Sequence, residues 1–169
     1  GALTLDGELV QGGGTLNLIG EGAIGVTGKL DIGTGDFNVD NSLMIESGGS
    51  LISGTGNVQI GESLTLGGEL VQGGGILNLI KGGTVGATGK LDMSGAELGL
   101  GGALNITGTL AANSSSNWSG WSGTLDLSSG TLESSGGIIN LNDFTTGANT
   151  ALKLSGDTEI SSYNDITFG

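Results

Sequence analysis

LTLDGELVQGGGTLNLIGEGAIGVTGKLD, residues 3–31, aligns without gaps with LTLGGELVQGGGILNLIKGGTVGATGKLD, residues 64–92. The offset is 61, and 22 of the 29 positions are identical. This is an internal duplication, and a finer period runs beneath it. Apolar–x–apolar triplets recur about every seven residues, separated by Gly, Asn, Asp or Ser. Each triplet reads as a short strand with two side chains on one face and one on the other. The strand centres sort into three series. The first is Thr4, Gly25, Met44, Thr65, Gly86, Asn105 and Asp126, resuming at Thr167. The second is Val10, Asp31, Ile52, Val71, Asp92, Ala111, Glu133 and Lys153. The third is Asn17, Asn38, Gln59, Asn78 and Gly99, then Asn140 and Glu159.

Steps within each series are mostly about 20 residues, so the duplication spans three turns of a coil. The pattern predicts one all-β domain over residues 1–169, a three-faced parallel β-solenoid of about 20 residues per rung and about eight rungs. No segment carries the i, i+3, i+4, i+7 periodicity of an amphipathic helix. The glycines, costly inside a helix, suit the corners where the chain turns sharply. Flanking residues such as Leu16, Phe37, Val58 and Leu77 then stack inside, while Asn17, Asn38, Gln59 and Asn78 form an outer ladder of amides.

The 169 residues include 38 Gly, no Pro, Cys, His or Arg, and only four Lys. Aliphatic residues recur throughout and the mean hydropathy is positive, unlike a disordered Gly-rich chain. The formal net charge is −13, which repels a nucleic-acid backbone. No apolar run reaches the length of a membrane helix, so no membrane insertion is expected. The start at Gly1 without a charged-then-apolar leader reads as a mature protein or an excised segment.

Units such as GKLDIGTG, GSLISGTG and GGALNITGTL, with Leu two residues apart and Gly at the corners, resemble bacterial surface β-helices of the filamentous haemagglutinin and autotransporter passenger type. The resemblance implies a right-handed coil and an extracellular or cell-surface location. The absence of Cys is also similar to exported passengers.

Motifs that could carry chemistry read mostly as architecture. Gly20, Gly22 and Gly25 spell GxGxxG, but no helix follows to meet a pyrophosphate. Thr27–Gly28–Lys29 and Thr88–Gly89–Lys90 precede Leu instead of the Ser or Thr of a phosphate loop, so Lys29 and Lys90 read as charges that discourage sideways strand pairing. Asp36, Asn38 and Asp40 alternate as in the start of a calcium loop but lack its Gly and closing Glu; a solvated strand face or an opportunistic Ca²⁺ both fit. Without His or Arg, neither a nucleophilic triad nor an Arg-based lyase can be assembled, and no acidic cluster lies beside aromatic sugar platforms. We therefore expect no enzyme and no cofactor.

Residues 111–123, AANSSSNWSGWSG, break the rhythm. Trp118 and Trp121 read either as platforms for surface glycans or as core, corner or rod-contact fillers. Asn105, Asn113 and Asn117 begin N-x-S/T sequons, possible glycosylation sites. Leu3, Thr4 and Leu5 open the first coil and Ile166, Thr167 and Phe168 close the last; the pattern predicts Thr4 and Thr167 on the same face, so that it begins and ends nearly in phase. Two roles follow: a structural subunit that polymerises with itself head to tail, or a segment of a longer surface adhesin that binds glycans or cell surfaces.

Overall fold

The computed structural model describes residues 1–113, 117–118, 123–127, 129–141 and 143–169, without the side chains of Asn117 and Leu141. Among them there are strands and turns and no helix, and every strand pairing is parallel. Three faces wind around a common core. Face one stacks strands from Leu3–Leu5 through Gly22–Ile24 to Ile166–Phe168, nine in the described residues. Face two stacks eight, from Glu8–Val10 to Ala151–Leu154. Face three has five from Thr15–Leu18 to Glu97–Leu100, and a separate three-stranded sheet of Asn117–Trp118, Gly137–Leu141 and Thr158–Ser162. The chain is a β-solenoid of about 21 residues per turn.

Face two shows why stacking holds the fold. Its inward column is leucine at every level, from Leu9 over Leu30, Leu51, Leu70, Leu91, Leu110 and Leu132 to Leu152. The six inner leucines are fully buried, whereas Leu9 and Leu152, each with a neighbour on one side only, are 37% exposed. One coil cannot shield its own apolar side chains; the next coil does it.

The outward series on face two follows the expected register at all eight levels, as does face three from Asn17 to Gly99. Face one departs at two levels. Its centres are Ala23 and Thr84, not Gly25 and Gly86. Ile24–Gly25–Val26 looks apolar–x–apolar, but the strand is Gly22–Ile24, and Val26 lies exposed on the corner. Gly28 N–H donates to Gly25 O at 2.8 Å, so Gly25 belongs to the turn. A further face-one strand, Asp143–Thr146, escaped the pattern because its inward pair is Phe144 and Thr146, one of them polar. On face three, Glu159 pairs with Ile138, while Asn140 pairs with Ser161, a two-residue register correction.

The steps along face one are uneven. Leu3 to Gly22 is 19 residues, Gly22 to Leu43 is 21 and Leu43 to Leu64 is 21. The same 19, 21, 21 order repeats from Leu64 to Leu125, and another 19-residue step joins Leu125 to Phe144. The 61-residue duplication is therefore one short coil followed by two longer ones, and the short step outlasts the recognisable sequence identity.

One corner is a column of glycines. Gly7, Gly28, Gly49, Gly68, Gly89, Gly108 and Gly130 each accept, through the carbonyl, a 2.8–3.0 Å hydrogen bond from the first residue of the face-two strand one coil later. From Gly28 onward the backbones approach too closely for side chains: a Cβ on Gly68 would lie 2.2 Å from Gly49 O and 2.3 Å from Glu46 O. Gly68→Ala is expected to cost about 1–3 kcal/mol, as overpacking does. Urea melts would check this, with Gly7→Ala, whose Cβ meets open space, as the mild control.

Candidate functional site

The residues read as assembly ends lie where the sequence placed them, at opposite ends of face one. Thr4 faces outward on the first strand and Thr167 outward on the last, with seven described strands between their strands. Both terminal coils leave their inward side chains partly open. Leu3, Leu5, Leu9, Leu16 and Leu18 line the first, and Leu152, Leu154, Ile166 and Phe168 the last. Phe168, 68% exposed, closes the core edge-on against Phe144, with ring centroids 6.5 Å apart.

The open edges have a defined polarity. Along each ladder, inward residues donate their N–H to the following coil, as Leu3 does to Glu21 O and Phe37 to Asn57 O. Outward residues donate to the preceding coil, as Asp36 does to Gly14 O. By this alternation the Thr4 N–H points at the open edge of the first coil, and the N–H groups of Ile166 and Phe168 point at that of the last. Thr167 donates back into the ladder.

The expected near-match in phase is found to within one strand, with Thr4 and Thr167 on the same face. Face one has nine strands where face two has eight, so a chain that begins and ends on the same face carries one strand beyond a whole number of coils.

Charges pin the stack along its axis. Each of the four lysines bonds a glutamate 19 to 21 residues earlier, one coil below: Lys29–Glu8 at 2.9 Å, Lys81–Glu62 at 2.7 Å, Lys90–Glu69 at 3.1 Å and Lys153–Glu133 at 2.7 Å. Lys29 and Lys90 thus stand inside face two, paired along the axis, and are not edge charges. Hydrogen bonding to Glu8 raises the Lys29 pKa; for Lys90 the bonds to Asp92 and then Glu69 do so. Asp92 is pushed up by burial, but hydrogen bonds from Ser94 and Lys90 outweigh this and leave its carboxyl below its ordinary value.

A carboxyl whose pKa is lower folded than unfolded adds stability above the unfolded value and loses it as pH falls through the folded one. Asp92→Asn should therefore lower Tm by about 1–3 °C at neutral pH, the modest effect of a solvent-screened pair. The difference from the parent should vanish at pH below the carboxylate range. Scanning calorimetry across pH would check it; a constant offset at all pH values would show that the charge is not responsible.

The outer amide ladder is only partly bonded side chain to side chain. Asn38 Nδ2 donates to Asn17 Oδ1 at 2.9 Å, but the next links use backbone: Asn57 N–H donates to Asp36 Oδ1 at 2.8 Å, and Ile76 N–H to Asn57 Oδ1 at 3.0 Å. Asp36 is thus engaged in joining coils. Among the described residues, no group of three His, Cys, Asp or Glu is arranged to hold a metal ion.

Trp118 faces the core and is fully buried, stacked in register with Ile139. Of the readings open for it, the core filler fits and the sugar platform does not, because its ring has no surface to offer. Trp121 lies outside the described residues. Asn105 is exposed on face one between Thr84 and Asp126, Asn113 is half-buried after Thr109–Ala112, and the Asn117 side chain lies outside the described set. The inward Trp was illegible because one Trp between polar neighbours lacks the apolar–x–apolar signature.

No family model matches the chain, and neither a curated protein nor a solved structure matches it.

Proposed function

We propose that this chain is a structural subunit of an extracellular filament or surface fibre that grows by head-to-tail stacking of its coils. The observation that supports this reading is the way the coils hold one another: the described ladders are parallel on all three faces, and an inward column is shielded only where a coil lies on both sides, as the fully buried leucines from Leu30 to Leu132 show against Leu9 and Leu152. A second copy docked coil on coil extends the same stack: it pairs strand-edge N–H and C=O groups and shields the apolar columns. Such a contact is heterologous and does not close, so it produces fibres and not rings. The subunit's partner is itself, and its place is outside the cell or on its surface.

Thr4→Pro removes an edge-facing donor while sparing the ladder above it, because the Thr4 N–H serves no inner strand. It should slow fibre growth at least tenfold, read by light scattering and negative-stain images, with an unchanged β circular-dichroism spectrum. A parent protein that stays monomeric at high concentration and binds glycans or cells instead would return the reading to a segment of a longer adhesin, whose own further coils cover these edges.

A further inference from the structure

We infer that the outer surface of face three binds a neutral, hydroxyl-rich chain: a linear polysaccharide lying along the coil axis over Asn17, Asn38, Gln59 and Asn78. The site goes beyond the filament reading and does not depend on it, because it lies on the flank of the rod and uses no strand edge. Three successive coils form a shallow groove of about 250 Å³ there, lined by Asp36, Asn38, Asn57, Gln59, Ile76 and Asn78.

The amides of this groove have bonding capacity left over. Asn38 Nδ2 donates one hydrogen bond to Asn17 and retains a second N–H and its Oδ1. Asn57 Oδ1 accepts from the Ile76 N–H, which leaves both Nδ2 hydrogens. Gln59 is exposed between Asn38 and Asn78 in the ladder, and its side chain bonds to no described residue. Face two differs: there Lys29, Lys90 and Lys153 are engaged by glutamates of the neighbouring coil.

This mixture of donors and acceptors selects the ligand. A hydroxyl both donates and accepts, as an amide does. A phosphate or carboxylate only accepts; it would find no cation in the lining and would meet the Asp36 carboxylate. An ammonium only donates, and Asp36, with one oxygen already held by the Asn57 N–H, is the single carboxylate lining the groove. Ile76, 36% exposed, supplies an apolar spot for the C–H face of a sugar ring. The amides recur once per coil, about 4.8 Å apart, close to the advance of one hexose ring in an extended chain. Successive rings thus meet successive levels. Each level offers only neutral, wet hydrogen bonds, so a single ring is held weakly and affinity grows with the number of levels spanned.

Equilibrium dialysis suits the full 169-residue protein in any state of assembly. Labelled hexasaccharides of β-linked glucose and of β-linked mannose are dialysed against it. At least one should be retained with a millimolar Kd, at least fivefold tighter than its disaccharide, and added salt should change nothing. A glucuronate hexasaccharide should not be retained. Gln59→Ala, which breaks no hydrogen bond to a described residue, should weaken retention at least threefold while Tm stays within about 1 °C of the parent. Thr65→Ala, on face one, should retain the sugar as the parent does. Retention of neither neutral hexasaccharide, equal retention by Gln59→Ala, or preference for the glucuronate would overturn the site. So would tighter retention of an uncharged Gly–Ser peptide of matching length, which would reassign the groove to a polypeptide. The filament reading is judged separately, by sedimentation of the parent without sugar, and stands or falls on that result alone.

Discussion

Phe37→Asp should unfold the coils around it. The Phe37 ring is fully buried between Leu16 below and Val58 above, with no polar partner in the column. A carboxylate there has no counter-charge and no water, so the variant loses the packing of the ring and also carries the cost of an unpaired buried charge or of a proton taken up to neutralise it. A loss above about 4 kcal/mol is expected, among the largest that single substitutions produce. Asn38→Asp, one residue along and facing out, gives up the bond to Asn17 and places a charge near Asp36, for a loss within about 1 kcal/mol. Urea melts of the two variants separate the faces; equal midpoints would refute the in–out assignment.

Trp118→Ala is the second large effect. The indole is the largest fully buried side chain among the described residues and sits where face three restarts after its break, in register with Ile139. Truncation leaves a cavity that the neighbouring coils cannot close without breaking their ladders, so a loss of about 3–5 kcal/mol is expected. Trp118→Phe should recover much of it. Chemical denaturation followed by circular dichroism would check both, and a melt of Trp118→Ala indistinguishable from the parent would show that the ring is not core.

These two residues also mark what the sequence discloses and what it hides. Phe37 was legible because it belongs to a triplet, Phe37–Asn38–Val39, repeated a coil later by Val58–Gln59–Ile60. Face two was legible throughout, since leucine recurs at each inward level and glycine at each preceding corner as far as Gly130. Face one was misread at Gly25 and Gly86 because small inward residues, Gly22 and Gly83, hid the true strand while a corner valine or alanine imitated it. Trp118 was hidden for another reason: its sequence neighbours Asn117 and Ser119 are polar, so no apolar–x–apolar triplet marks it. The end residues were placed correctly, but the direction of each N–H depends on ladder alternation, and the extra face-one strand shows only when all three faces are counted together.

The 19, 21, 21 order of steps along face one bears on how such a rod yields to force. Tension applied at one terminus loads the bonds of a single coil at a time, as in opening a zipper, because each coil is held only by its neighbours. Chain is then paid out in packets of one coil, about 65–75 Å of extended backbone each at about 3.4 Å per residue. Every third packet is shorter by two residues, so the force–extension trace of a pulled molecule carries the three-coil rhythm of the duplicated sequence, including the stretch beyond residue 125 where the letters no longer repeat.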